Sequence, residues 1–355
     1  MKVILIANHR VNRVDRNSGV PFYVYKYLKK RVNLSVIDGL YRRYTLNRAL
    51  AKLLRETIGW HYIVDHQRST AKEYAKKIED ELQTINGDII ISLHAQPIAY
   101  LKSKLPVVIY TDATFANLVD SYDLYSGLFT AAERAGNDVQ RTALDRADHI
   151  VWTNHWAYKS ACDHYGISTE KMSIITRGAN LSNVPDKDSL SGRNHSSQIS
   201  ILFVCTDWKR KGGDIVIDTV KKIRERGRKV KLVICGLKPP ISENDFDHEY
   251  VGLLDKSKEK DRKKYNNLLA NTDIFFLPTR GDAAPVSICE AQAFGIPVVS
   301  NDVGGISTLI KNGYNGFLLD KDVNIERYAK LIVGICENDD LYSRLSDNAR
   351  FEYEH

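Results

Sequence analysis

Two carboxylates eight positions apart, and a lysine ahead of a glycine pair, are the residues of this sequence best suited to chemistry. Asp282 and Glu290 stand in PTRGDAAPVSICEAQAFGIPVVSNDVGG, residues 278–305. The apolar run before Pro278 predicts a buried strand. A Gly- and Ala-containing loop follows, then a helix from near Val286, then Gly295 and another strand. Loop amides at a helix start form a site for an anion. Asp282 on the loop and Glu290 about a turn into the helix can both reach one polyhydroxylated ligand. The lysine is Lys211, in FVCTDWKRKGG, residues 203–213, which follows a predicted strand and opens a helix. That is where a phosphate is expected. Taken alone, the first segment also fits a surface acid with a helix cap, and the second a solvated basic turn.

Weaker candidates stand in the first half. Gly19 lies in Asn17-Ser18-Gly19-Val20, just before a predicted helix Pro21–Lys30, good chemistry for a helix start and equally an ordinary loop. Asp112 follows the strand in PVVIYTDATF, residues 106–115, at the ligand edge of the first sheet, where it either meets a ligand or caps a helix. His94, after another strand, reads first as a structural histidine. No GxGxxG, P-loop or HExxH occurs. Asp186-Lys187-Asp188 imitates a DxD metal motif but has no strand before it and is rejected as one.

Short continuous apolar runs alternate with longer amphipathic ones, the pattern of a helix-covered parallel sheet. Strands are expected at Val3–Ala7, Asp88–Leu93, Val107–Tyr110, Ile150–Thr153 and Ser173–Thr176, then at Ile199–Val204, Lys231–Cys235, Ile274–Pro278 and Pro297–Ser300. Leu46, Ala49, Leu50, Leu53, Leu54 and Ile58 fall on one face of a helix. A second helix opens at Asp214, with Gly227 past its end. The stretch 181–198, rich in Ser, Asn, Asp and Gly, reads as a linker. The expected organisation is a first doubly wound domain over 1–180, the linker 181–198, a second doubly wound domain over 199–338, and a helix over 339–355 that packs back on the first domain.

Bulk properties set limits. The 355 residues suit two domains, with 43% hydrophobic and 27% charged residues. No segment approaches the ~20 apolar residues of a membrane-spanning helix. Five scattered cysteines without CxxC spacing argue against a disulfide framework or zinc site and for a reducing cytoplasm. Cys205, Cys235 and Cys289 read as inert core. The net charge of +7 suits an anionic ligand or an anionic membrane surface; no nucleic-acid signature accompanies it. Basic and aromatic residues mix at Phe22–Arg31 and at Tyr41-Arg42-Arg43-Tyr44. Each is either a solvated face or a face for a lipid-phosphate acceptor or membrane. Lys256–Lys264 reads as a solvated face.

The 278–305 segment resembles the acidic-x7-acidic signature of the GT4 family of retaining glycosyltransferases, which have the GT-B fold: two Rossmann-like, doubly wound α/β domains facing across a cleft. The resemblance implies that Glu290 accepts hydrogen bonds from the donor ribose, that Asp282 contacts the transferred sugar, and that Ala284 and Val286 belong to the donor loop. Asp282 stands where the family more often has Glu, and Pro285 removes one loop amide. The 203–213 segment is similar to the family's Lys-Gly element, which makes Lys211 the diphosphate cation. Thr206 stands where many relatives carry an Arg, and Arg210 is the local substitute. Gly19 corresponds to a phosphate-approaching loop, and Asp112 to a place beside the transferred sugar where many relatives have His, which implies that it binds a sugar hydroxyl or helps orient the acceptor. The piece IITRGAN, residues 174–180, is similar to the element that closes the first domain.

The resemblance therefore implies transfer of a hexosyl unit from a UDP- or GDP-sugar to a glycan, glycolipid or glycoconjugate acceptor. It implies no metal or cofactor, with Asp112, Asp282 and Lys211 as catalytic candidates. A bacterial surface-polysaccharide or glycoconjugate pathway is expected, in the cytoplasm or at the inner face of the membrane. The rivals are a GT-B epimerase or phosphorylase, a non-catalytic sugar-nucleotide or glycan-binding subunit, and a dinucleotide oxidoreductase.

Overall fold

Runs of Ile, Val, Leu and Phe form strands buried on both faces, as parallel sheets with helices on each side require. The computed structural model describes residues 1–15, 17–41, 46–59, 61–119, 121–186, 198–240 and 248–355. Two units divide the chain, Met1–Thr176 and Arg177–His355.

The first unit holds the strands β1 (Lys2–Ile6), β2 (Asn33–Ile37), β3 (Ile89–Ser92), β4 (Val107–Thr111), β5 (His149–Trp152) and β6 (Met172–Ile174). Its helices are α1 (Val20–Leu28), α2 (Leu46–Ile58), α3 (Arg68–Leu82), α4 (Phe115–Leu118), α5 (Thr130–Arg146) and α6 (His155–Tyr165). All strand pairings are parallel, in the order β2-β1-β3-β4-β5-β6. The core gathers Ile4, Ile6, Ile90, Ile109, Ile150 and Trp152 under Ile78 of α3 and Val139 of α5.

The second unit repeats the plan with β7 (Gln198–Cys205), β8 (Lys229–Gly236), β9 (Glu249–Gly252), β10 (Ile274–Leu277), β11 (Val298–Asn301) and β12 (Gly316–Leu319). Its helices are α7 (Gly213–Glu225), α8 (Glu259–Ala270), α9 (Val286–Ala293), α10 (Ile325–Cys336) and α11 (Asp339–Glu354). The sheet order is β12-β11-β10-β7-β8-β9. One device fixes register in both units. Asp88, Asp148 and Asp273 precede β3, β5 and β10, and their carboxylates accept from the amides of Lys2, Val107 and Ser200 at 2.7, 2.8 and 2.7 Å.

Three strands had no sequence signal strong enough to be expected: β2, β9 and β12. Each is an edge strand, and β2 and β9 are largely part-exposed, so their apolar pattern is weak.

The apolar stripe of α2 is exposed at Leu46, Leu50 and Leu53, by 89%, 54% and 55%. Arg48 ties the helix down: its Nη2 lies 2.5 Å from Asp65 Oδ1 and its guanidinium sits 4.1 Å from the Tyr41 ring centre. Periodicity reports an apolar face, not what covers it. The last helix, expected to return to the first domain, is built into the second unit. Tyr342 and Leu345 join that unit's core, Ser346 Oγ donates to Gly295 O at 2.6 Å, and Arg350 Nη1 donates to Ala293 O at 2.7 Å. Its apolar face is matched to α9, which lies next to it. Residues 42–44, the linker positions 187–197 and Asp188 lie outside the described residues.

Candidate functional site

In the second sheet the chain runs β7, β8, β9 to one side and then crosses back to β10 on the other side of β7. The strand order therefore reverses between β7 and β10. In open parallel sheets that reversal opens a crevice at the carboxyl ends of the strands, where ligands bind. The two loops that flank it are residues 206–212, after β7, and residues 278–285, after β10. These are the two segments singled out by residue type.

The loops are stitched to one another. Arg280 N donates to Arg210 O at 2.7 Å, Thr279 Oγ1 to the same carbonyl at 3.0 Å, and Arg210 Nη1 to Gly281 O at 2.8 Å. Close approach depends on Gly212, which has φ +78° and no room for a side chain: a Cβ there would overlap the carbonyl of Pro278. Gly213 is likewise pressed on the Trp208 ring. On the other flank, Gly304 (φ +60°) lies against the backbone of Asp282, and Gly305 N donates to Asp282 O at 3.0 Å. Glycines on both sides thus let the backbone of the site close up.

This closure brings Arg210 and Lys211 to Asp282. Lys211 Nζ is ion-paired with Asp282 Oδ2, and Arg210 Nη1 lies 3.4 Å from the same oxygen. Arg210 is also braced by Asp207, through Nε to Oδ2 at 3.3 Å. Lys211 is only 9% exposed, so this cation is fixed in place rather than waving in solvent. Thr206 is exposed. Arg210 is the second cation beside Asp282. Arg280 pairs with Asp214 at 2.6 Å, holding the Asp214 carboxyl below its ordinary range, and so ties the second loop to the first turn of α7.

Val286 begins α9, and Ala283, Ala284 and Val286 are buried. Four residues into that helix, Glu290 is 1% exposed. Its carboxylate accepts from Lys256 Nζ at 2.6 Å and from Tyr265 Oη at 2.8 Å. Burial and the adjacent Glu290 carboxylate hold the Tyr265 hydroxyl well above its ordinary pKa, so it stays a donor. Lys256 was expected on a solvated face. It is corrected to a partner of a buried acid. Its neighbours in sequence are mostly charged and exposed, and no spacing marks it out. Gly304 was also missed, although its place after a strand in a glycine pair is a usable signal.

The candidates of the first unit are placed separately. Gly19 has φ +79° and is the N-cap of α1, where a Cβ would come within 3.3 Å of Val14 O. Asp112 follows β4 and is half-buried. It is not the helix cap: Thr114 caps α4 and forms a capping box with Asn117. The carbonyl of Asp112 accepts from Asn154 Nδ2 at 2.8 Å. His94 sits after β3, at this sheet's own reversal between β1 and β3, and its Nδ1 accepts from Asn8 N at 3.5 Å. Among the described residues no cluster of three or more His, Cys, Asp or Glu could hold a metal ion, and no helix is long and apolar enough to cross a membrane. Burial pushes the thiols of Cys205 and Cys235 up to about 11 and that of Cys289 up to about 12. They are protonated core groups rather than nucleophiles.

Two doubly wound units with their loops at the carboxyl edges define the class: this is a GT-B fold. Residues 187–351, most of the second unit, match the family described as Glycosyl transferases group 1. HepE of Anabaena, solved in complex with UDP and glucose, superposes with a TM-score of 0.65 at 16% identity, over 99% of this chain and 94% of that one. The D-inositol 3-phosphate glycosyltransferase of Corynebacterium glutamicum is 23% identical over 264 residues, 69% of this chain and 62% of the relative. The UDP-Gal:alpha-D-GlcNAc-diphosphoundecaprenol alpha-1,3-galactosyltransferase of Escherichia coli is 30% identical over 191 residues, 51% of this chain and 49% of the relative. The chain thus spans less than two thirds of the length of these curated relatives.

Proposed function

We propose that this protein transfers a hexosyl unit from a nucleoside-diphosphate sugar, with retention at the anomeric carbon, as a GT4-type glycosyltransferase of bacterial surface-polysaccharide or glycoconjugate assembly. One observation carries the reading: the loops at the reversal of the second sheet hold Lys211 and Arg210 together on Asp282, and the helix leaving that loop carries the buried carboxylate Glu290.

Charge movement gives each group a task. As the anomeric C–O bond breaks, its electron pair passes to the diphosphate. Lys211, Arg210 and the first-turn amides of α9 stabilise that charge, which is the largest lever such a site has. Asp282 is held by these cations until a donor arrives. It then contacts the transferred sugar, while Glu290 accepts from the ribose. The acceptor hydroxyl forms the new bond on the same face, and its proton leaves with the departing phosphate oxygen. Ala284 and Val286 line the donor loop. Gly19 and Asp112 are the candidates of the first unit, Asp112 as an acceptor-side carboxylate now that the cap reading is excluded. UDP- and GDP-sugars are the donors to try first.

A lipid-linked acceptor is favoured by a separate observation. The stripe Leu46, Leu50 and Leu53 is exposed, on a segment (residues 1–58) with 13 Lys or Arg against 3 Asp or Glu. An apolar stripe beside excess positive charge suits the surface of an anionic membrane.

A thermal-shift panel of UDP- and GDP-sugars, followed by product analysis with the labelled donor that binds, tests the reading. A donor-dependent rise in Tm and labelled glycoside are expected. An isomerised sugar or a phosphate-dependent product would replace it with an epimerase or phosphorylase, and binding without turnover with a non-catalytic subunit.

A further inference from the structure

The buried carboxylate of the second unit has two protein partners, one on each oxygen, and they come from a part of the chain that no motif marks. Lys256 follows β9 and Tyr265 lies on α8. Lys256 Nζ meets Oε1 of Glu290 at 2.6 Å, and Tyr265 Oη meets Oε2 at 2.8 Å. The ammonium also lies 4.1 Å from the centre of the Tyr265 ring, so the two partners brace one another.

The loop that presents Lys256 is itself locked. Asp255 N donates to Asp261 Oδ2 at 2.9 Å, Ser257 Oγ to Asp255 Oδ1 at 2.6 Å, and Arg262 Nη1 to the carbonyls of Lys256 and Ser257 at 3.0 and 2.7 Å. The Lys256 side chain is 21% exposed and that of Glu290 2%, so the lysine is the more open member of the pair. A lysine merely balancing a buried charge would not need its backbone carbonyl clamped by an arginine.

A carboxylate offers about four acceptor positions, two on each oxygen. With one taken on Oε1 and one on Oε2, one remains on each. That remainder fits two hydroxyls on adjacent carbons. We infer that Lys256 and Tyr265 are positioning residues that turn Glu290 into a receptor for a vicinal diol, the paired 2′- and 3′-hydroxyls of a ribonucleoside diphosphate. The inference rests on Glu290 being the ribose carboxylate of the proposed donor site. It adds the residues that aim it and the discrimination they create: a ribonucleotide makes both bonds, and a 2′-deoxyribonucleotide leaves one acceptor position of a buried carboxylate empty.

Isothermal titration of UDP against 2′-deoxy-UDP, and of GDP against 2′-deoxy-GDP, tests this on the wild-type chain and on K256M, K256R, Y265F and E290Q, each checked for folding by its ligand-free Tm. The wild type is expected to prefer the ribonucleotide by about 10-fold or more, the worth of one charge-assisted hydrogen bond. K256M and Y265F should bring that ratio below about 3-fold. K256R, which restores a cationic donor, should recover most of it. A purely structural role would lower Tm and leave the ratio unchanged. Wild-type ratios in K256M and Y265F, or no recovery in K256R, overturn the inference, and if K256M does not fold, Y265F decides. E290Q separates the two levels. If it alone loses the ratio, the positioning role fails and the site stands; if E290Q keeps both affinity and ratio, the donor site itself is wrong.

Discussion

A methyl group on Gly212 would overlap the carbonyl oxygen of Pro278, so the loop after β7 and the strand end of β10 touch backbone to backbone. Gly212→Ala therefore meets two costs, a left-handed φ and an overlap that no rotamer relieves. A loss of about 3 kcal/mol or more in denaturant unfolding is expected, together with loss of nucleotide binding. Gly227 has φ +77° with nothing near its Cβ position. Gly227→Ala should lose only about 1–2 kcal/mol and bind normally. Equal effects of the two substitutions would show that φ, not contact between the loops, is what Gly212 supplies.

Lys211→Met leaves Asp282 with Arg210 as its remaining cation, at 3.4 Å. A stability loss of about 1–3 kcal/mol is expected, smaller than for a fully orphaned buried charge. The double variant Lys211→Met/Asp282→Asn should regain part of that stability but none of the donor affinity, expected to fall at least about 10-fold in both. A double variant that binds like the wild type would remove Lys211 from the donor site.

His66, 3% exposed, holds Tyr125 Oη at 3.2 Å and Gln96 Nε2 at 3.0 Å, and burial lowers its pKa to about 4 from an ordinary 6.5. Between those values the unfolded chain binds a proton that the folded chain refuses, so stability rises with pH across pH 4 to 6.5 and is level above it. The sum over the window is about 3 kcal/mol. Urea unfolding at pH 7 and pH 4.5 should show a steeper loss for the wild type than for His66→Gln; parallel losses would rule out this histidine as a source of acid sensitivity.

The α2 stripe is exposed, so Leu50→Asp and Leu53→Asp should change stability by no more than about 0.5 kcal/mol. Co-sedimentation with vesicles containing anionic lipid should fall several-fold, and added salt should weaken what remains. Unchanged sedimentation would leave the leucines without a membrane role.

Much of this is legible in the sequence. Continuous apolar runs placed most central strands to within a residue or two, because a strand buried on both faces must be apolar throughout. The loops carrying Lys211 and Asp282 were recognisable because phosphate and polyol chemistry constrains residue type locally. Edge strands β2, β9 and β12 were not, since exposure dilutes their pattern. The leucines of α2 kept helical spacing without a core to face, and α11 had an apolar face whose partner the sequence does not name.

By itself the sequence determined two doubly wound units, their order, and the residue types at the ends of their strands. Only the tertiary structure decided which of those ends meet. Lys211 and Asp282 are 71 positions apart and are joined because strand order reverses between β7 and β10. Lys256 and Glu290 are 34 apart and are joined because a short loop after an edge strand turns back over α9. Periodicity is a property of neighbours along the chain, whereas strand order and loop closure are properties of the whole sheet, so residue spacing alone could name the groups but not pair them.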